Sequence, residues 1–98
     1  MSPTYRLDIS DESRADLASV RRWLMQPGSG ERAHRRYATI VKAVRDLKSS
    51  PGRWPHGADE TVRERPVEGY RIYYRVNNPV GTVRIMRVLS PFQDQSIF

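Results

Sequence analysis

Apolar residues along this chain fall into blocks of two different periods. Tyr5, Leu7 and Ile9 alternate with Thr4, Arg6 and Asp8, the period of two that marks a half-buried strand. Ser10, Asp11 and Glu12 follow. A serine oxygen can accept from the free N–H groups of a first helical turn, and carboxylates there are favoured by the helix dipole. A helix over about residues 11–25 is therefore predicted, with Ser10 as its cap. Leu17, Val20 and Leu24 share one face of it, flanked by Ala18 and Trp23. The run Gln26-Pro27-Gly28-Ser29-Gly30 breaks it.

The second helical block is the clearest. Ala33, Tyr37, Ile40, Val41, Val44 and Leu47 recur at spacings of three and four, and Arg32, Arg35, Arg36, Thr39, Lys42 and Asp46 fall outside the stripe. It predicts a helix over about residues 30–49, stopped by Ser49-Ser50-Pro51-Gly52. Residues 53–59 have turn composition and no period, and Trp54 is expected to pin this loop to the core.

Three strands complete the pattern. Residues 61–67 form the first, with Pro66 near its end, as suits a sheet edge. Glu68-Gly69 makes a tight turn. Tyr70, Ile72, Tyr74 and Val76 alternate with Arg71, Tyr73 and Arg75 in the next strand. After the turn cluster at residues 77–81, residues 82–89 form the last, with the least regular alternation. A polar tail over residues 90–98 carries Phe92, Ile97 and Phe98. The order β-α-α-β-β-β predicts an α+β fold in one domain, residues 1–98: two helices packed on one face of a mostly antiparallel four-stranded sheet.

Charge then narrows the function. The net charge is +6, and residues 31–55 hold seven of the 17 basic side chains against two of the 11 acidic ones. Such a patch suits an anionic partner, nucleic acid or acidic protein, as well as it suits a solvated helix face. There is no cysteine, which excludes disulfides, thiol catalysis and Cys-based zinc sites. His34 and His56 are too far apart to suggest a metal site, and no cofactor is implied. No apolar run approaches the ~18 residues of a membrane span. The first residues run straight into a strand pattern with no signal peptide before it, so a cytoplasmic protein is the expectation.

Four strings within this order resemble a known family. Ala43-Val44-Arg45-Asp46-Leu47-Lys48-Ser49-Ser50-Pro51 is similar to the segment I-x-x-L-x-x-x-P, and Val62-Arg63-Glu64-Arg65-Pro66-Val67 to V-R-E-L-x-V. Gly69-Tyr70-Arg71-Ile72-Tyr73-Tyr74-Arg75-Val76 is similar to G-Y-R-I-x-Y-x-V. Ile85-Met86-Arg87-Val88-Leu89-Ser90-Pro91-Phe92-Gln93-Asp94 is similar to I-x-R-V-x-H-x-x-Q-D. Together, over about residues 5–95, they resemble the RelE/ParE toxins of bacterial type II toxin–antitoxin systems. The resemblance implies a partner antitoxin, expected to be acidic, and contact with operator DNA only through that antitoxin. RelE-like members cut mRNA on the ribosome, whereas ParE-like members poison DNA gyrase, so the resemblance leaves the target open.

The residues favour the ParE-like branch. A ribonuclease needs a base for the 2′-hydroxyl, an acid for the leaving oxygen and cations around the phosphate. Arg71 stands where the family arginine stands. Val62 and Glu64, however, occupy the positions of two RelE lysines, Ser90 replaces a frequent histidine, and the tail holds no tyrosine or histidine. Arg71 and Glu64 are the catalytic candidates if the chain is a nuclease; the simpler reading is a cross-strand ion pair beside the turn. Trp23, Arg63, Arg71, Tyr73, Arg84, Arg87 and Gln93 are the candidates for binding a target or the antitoxin. Arg75 shares the strands of this group, while Tyr70 and Tyr74 read as core. The favoured expectation is a gyrase-binding toxin. The alternatives are a ribosome-dependent mRNA endonuclease and a non-toxic module that binds the antitoxin and helps repress the operon.

Overall fold

Leu7 and Ile9 place β1 (Arg6–Ile9) beside the core, and Ser10 ends it by turning the chain into α1 (Asp11–Leu24). The Ser10 side chain accepts the Ser13 N–H at 3.1 Å, so the predicted cap is present. α2 (Glu31–Asp46) starts after Gly30, whose φ of 88° carries the chain out of the interhelical turn. Leu47 follows α2 as its C-cap, so the apolar stripe outlasts the regular helix. A short 3-10 turn (Pro51–Arg53) leads to β2 (Arg63–Val67), β3 (Tyr70–Asn77) and β4 (Thr82–Leu89). This computed structural model describes residues 4–95. Ile97 and Phe98 of the predicted tail lie outside them.

The sheet order is β1-β4-β3-β2. β1 runs parallel to β4, and the other two pairings are antiparallel. Pro66 therefore sits on an edge strand, where its missing N–H costs no ladder bond. Glu68 and Gly69 form the β2–β3 turn with φ values of 52° and 80°, the doubly positive geometry that matches strand twist in a two-residue hairpin. The guanidinium of Arg36 on α2 reaches the Glu68 carbonyl at 2.7 Å and holds that turn against the helix.

Both helices cover one face of the sheet. Val20 and Leu24 from α1 and Ile40, Ala43 and Val44 from α2 meet Tyr70, Ile72, Tyr74, Val83, Ile85 and Val88 in a single core, with Leu47 beside them. Each buried aliphatic side chain of this kind contributes about 1.5–3 kcal/mol. Trp54 packs against the core as expected, between the guanidinium groups of Arg65 and Arg53. Tyr74 donates from its hydroxyl to the Pro51 carbonyl at 2.5 Å and closes the loop from the other side.

The irregular alternation of β4 has a structural cause. Tyr74 pairs with Ile85 and Tyr73 with Arg87, which leaves Met86 without a partner in a bulge. The extra residue flips the phase, so Val83 and Ile85 face the helices before it and Val88 after it. β1 ends opposite Ile85, and beyond that point α1 takes over the β4 edge. Ser10 Oγ lies 3.1 Å from the Met86 carbonyl, Ser13 Oγ lies 3.2 Å from the Ile85 carbonyl, and Asp16 accepts the Val88 N–H at 2.9 Å. These three side chains, three residues apart on one helix face, satisfy backbone groups that a neighbouring strand would otherwise pair.

Candidate functional site

Register decides which side chains share the outer face of the sheet. Glu64 stands opposite Tyr73, and Tyr73 opposite Arg87; Arg71 stands opposite Leu89, and Arg75 opposite Arg84. Arg63 and Arg65 stand opposite Tyr74 and Ile72, which puts them on the helix side instead. The meander arginines therefore do not form one cationic surface. Arg63 donates to the Trp54 carbonyl at 2.6 Å, and Arg65 to the Ala43 carbonyl at 2.9 Å.

On the outer face the structure brings Glu64, Arg71 and Tyr73 together. The Arg71 guanidinium lies 3.5 Å from the Glu64 carboxylate, the cross-strand pair expected from the sequence. Tyr73 is 1% exposed and packs with Val62 and Leu89 in a small second cluster, with Met86 at its edge. Its hydroxyl donates to the Gln95 carbonyl. Burial first, and then the Glu64 carboxylate, push its phenol above the ordinary value. The Gln95 side-chain amide in turn reaches the Gly69 and Ser90 carbonyls at 3.1 and 3.0 Å, tying the tail across this end of the sheet.

The remaining outer-face arginines of β3 and β4 each have an acid. Arg87 is held by Asp16 through two hydrogen bonds of 2.7 and 3.0 Å, and this pairing raises its pKa. Arg84 meets Asp8 at 2.5 Å, and Arg75 lies 3.9 Å from Asp59. By contrast, Arg14, Arg21, Arg32, Lys42 and Arg45 on the helices have no acid within ion-pair distance among the described residues. The unneutralised charge of the chain is thus carried largely by its helical layer.

A second feature lies between α1 and the chain after β4. Trp23 is 58% exposed and Phe92 is 85% exposed. They line an open groove of about 420 Å³ whose floor is Val20, Tyr70 and Val88, with Gln93 at its wall. The Gln93 side chain accepts the Ser90 N–H at 2.8 Å and so shapes the turn that presents Phe92. Two large aromatic side chains exposed around one apolar floor are the composition of an interaction anchor. His34 and His56 are both exposed and belong to neither feature.

The fold and these surfaces can be set against known proteins. A family model for the ParE toxin of the type II toxin–antitoxin system parDE matches residues 7–94. The chain belongs to the ParE toxin family. No curated protein sequence matches it significantly. Among solved structures, a chromosomal ParDE toxin–antitoxin system from P. aeruginosa is similar with a TM-score of 0.73 and 19% identity, covering 91% of this chain and 98% of that one. A RelBE toxin–antitoxin complex from Mycobacterium tuberculosis is similar with a TM-score of 0.67 and 23% identity, covering 90% of this chain and 99% of that one. A double arginine-to-alanine mutant of the E. coli toxin RelE in the free state gives 0.61 and 16%, covering 96% of this chain and 90% of that one. At these identities the likeness is one of fold.

Sequence reasoning placed Trp23 and Gln93 among the binding candidates of this ParE-family toxin, and the structure brings both to the groove. It missed Phe92, whose only signal was an aromatic residue in a polar tail. It also missed Ser13 and Asp16, whose polar spacing beside the apolar stripe of α1 was legible but whose partner strand was not. Among the described residues, no helix of the toxin is long and apolar enough to cross a membrane, and no three acids and histidines cluster as a metal site.

Proposed function

We propose that this ParE-family toxin acts by binding and poisoning DNA gyrase, and that an acidic antitoxin holds it inactive. One observation carries the reading: the arginines of β2, β3 and β4, where the nuclease cations would stand, already have an acid or carbonyl partner, and the one nearby tyrosine is buried with its hydroxyl engaged. Acid–base catalysis needs a group that can give up or take a proton at the substrate. A binding toxin needs only a surface, and the Trp23–Phe92 groove supplies an apolar one. The uncompensated cations of the helical layer suit an acidic antitoxin segment that folds as it binds. The test is a supercoiling assay with purified toxin and gyrase from the source organism. Inhibition, with trapped cleavage complexes, is expected at micromolar toxin; intact supercoiling and no trapped complexes would end the reading.

A second reading has one observation in its favour. Glu64, Arg71 and Tyr73 do converge on the outer face, with a carboxylate 3.5 Å from a guanidinium. A ribosome-dependent mRNA endonuclease would use Glu64 as base and Arg71 on the phosphate. Arg71→Ala would then abolish transcript cleavage on translating ribosomes.

A further inference from the structure

The two edges of the sheet are finished differently. On β2 the outward positions are filled. Glu64 donates its N–H to the Pro55 carbonyl at 2.9 Å, His56 bridges to Arg63, and the next outward position is Pro66, which has no N–H to offer. On β1 they are open. Arg6 and Ser10 donate inward, to the Gly81 and Ile85 carbonyls at 2.8 and 3.1 Å. Backbone groups alternate in direction along a strand, so Asp8 also points inward, and Leu7 and Ile9 turn their N–H and C=O groups away from β4. These outward groups have no hydrogen-bond partner among the described residues. At Tyr5, by contrast, the Lys48 carbonyl already takes the outward N–H at 2.8 Å. Unpaired N–H and C=O groups in a row are a template for another strand. The side chains around the edge say what that strand would carry. Leu7 and Ile9 project to the helix side, where with Leu17, Tyr37 and Val41 they line an open groove of about 230 Å³. Arg45 stands at the rim of the groove, and Arg6 projects from the opposite face of β1. Neither arginine has an acid within ion-pair distance among the described residues.

We propose that an extended segment of the antitoxin completes the β1 edge as a fifth strand. It hydrogen-bonds Leu7 and Ile9, sets apolar side chains into the groove and carries acidic residues against Arg45 and Arg6. The inference rests on the reading of the antitoxin as acidic, and adds where and in what conformation one part of it binds. In this mode backbone bonds supply affinity, and alternate side chains supply selection. The period of two suits both faces at once: apolar residues meet the groove, and the acids between them meet Arg6. Charge decides against a second copy of this chain, which would bring its own Arg6 and Arg45 to the same edge.

The experiment is amide hydrogen exchange, read residue by residue by NMR, on the toxin alone and on its complex with the antitoxin encoded beside it. In the toxin alone the Arg6, Asp8 and Ser10 amides should exchange slowly and those of Leu7 and Ile9 fast. In the complex Leu7 and Ile9 should slow by about a hundredfold or more. Leu7→Pro removes one outward N–H and no bond to β4, and should weaken the complex by about tenfold. Arg45→Glu, an exposed change, should also cost about tenfold and serves if the proline variant does not fold. Leu7 and Ile9 amides equally fast in free and bound toxin would overturn the fifth strand and leave the antitoxin reading standing; no complex at all would overturn both. Protection already present in the toxin alone and growing with its concentration would assign the edge to a second copy. Protection by gyrase and not by the antitoxin would assign it to the target. Either result overturns the proposal.

Discussion

Asp16 on α1 grips Arg87 on β4 with both carboxylate oxygens, at 2.7 and 3.0 Å, while one of those oxygens also accepts the Val88 N–H at 2.9 Å. A single side chain therefore stitches the first helix to the strand edge that β1 leaves uncovered. The Asp16 side chain is only 10% exposed, so losing it strands a guanidinium and a backbone N–H in a partly dry place.

Asp16→Ala is accordingly expected to destabilise the toxin by about 2–4 kcal/mol, and Asp16→Asn by less, since an amide oxygen can still accept from Val88. Chemical denaturation of both variants measures this. Equal stability of Asp16→Ala and wild type would mean the stitch is ornamental.

The β2–β3 turn makes a separate prediction. A Cβ on Gly69 would meet Pro91 no closer than 3.7 Å, so space is not the constraint; its φ of 80° is. Gly69→Ala should cost about 1–2 kcal/mol by conformation alone, seen as a lowered Tm with an unchanged denaturant slope.

Tyr74 gives a pH dependence. Burial pushes its phenol up to about 12, against an ordinary value of 10.0. The folded state thus holds the proton more tightly than the unfolded one. The resulting stability is fully present below pH 10 and is lost as pH rises from about 10 through about 12. Tyr74→Phe should make that decline shallower, with Tyr70 and Tyr73, whose phenols burial also pushes up, keeping the rest, and at neutral pH it should cost about 1 kcal/mol for the lost bond to Pro51. A wild type whose stability is flat over the same range contradicts the assignment.

Trp23 and Phe92 should behave in the opposite way to core residues. Both are exposed, so Trp23→Ala and Phe92→Ala are expected to change stability by no more than about 0.5 kcal/mol. Each should nevertheless weaken capture by the target or the antitoxin by about tenfold or more, as buried aromatic anchors do. Calorimetric titration against each partner distinguishes the two; unchanged affinity for both would remove the groove from the account.

Much of this architecture is written locally, and the parts that are not share a cause. The Ser10 cap, the stripe of α2, Pro66 at an edge and the whole of β4 (Thr82–Leu89) follow from residues near one another in sequence. The bulge at Met86 does not, because it exists only relative to the pairing of Tyr73 and Tyr74. The roles of Ser13 and Asp16 depend on β1 stopping opposite Ile85, a fact about its pairing with β4, a strand more than 70 residues away in sequence. Arg63 looked like a surface cation because β2 has almost no apolar alternation to reveal its phase. The Glu64–Arg71 pair, set by a two-residue turn, was legible.

Pulse-labelling of DNA and protein synthesis, just after inducing the toxin without its antitoxin, tests the central claim most directly, with the Glu64→Gln, Arg71→Ala double variant run beside the wild type. The account predicts that DNA synthesis falls first, with a damage response, and that the double variant arrests growth as fast as the wild type. Protein synthesis falling first, with the double variant harmless, would contradict it and make the outer face of the sheet a nuclease site.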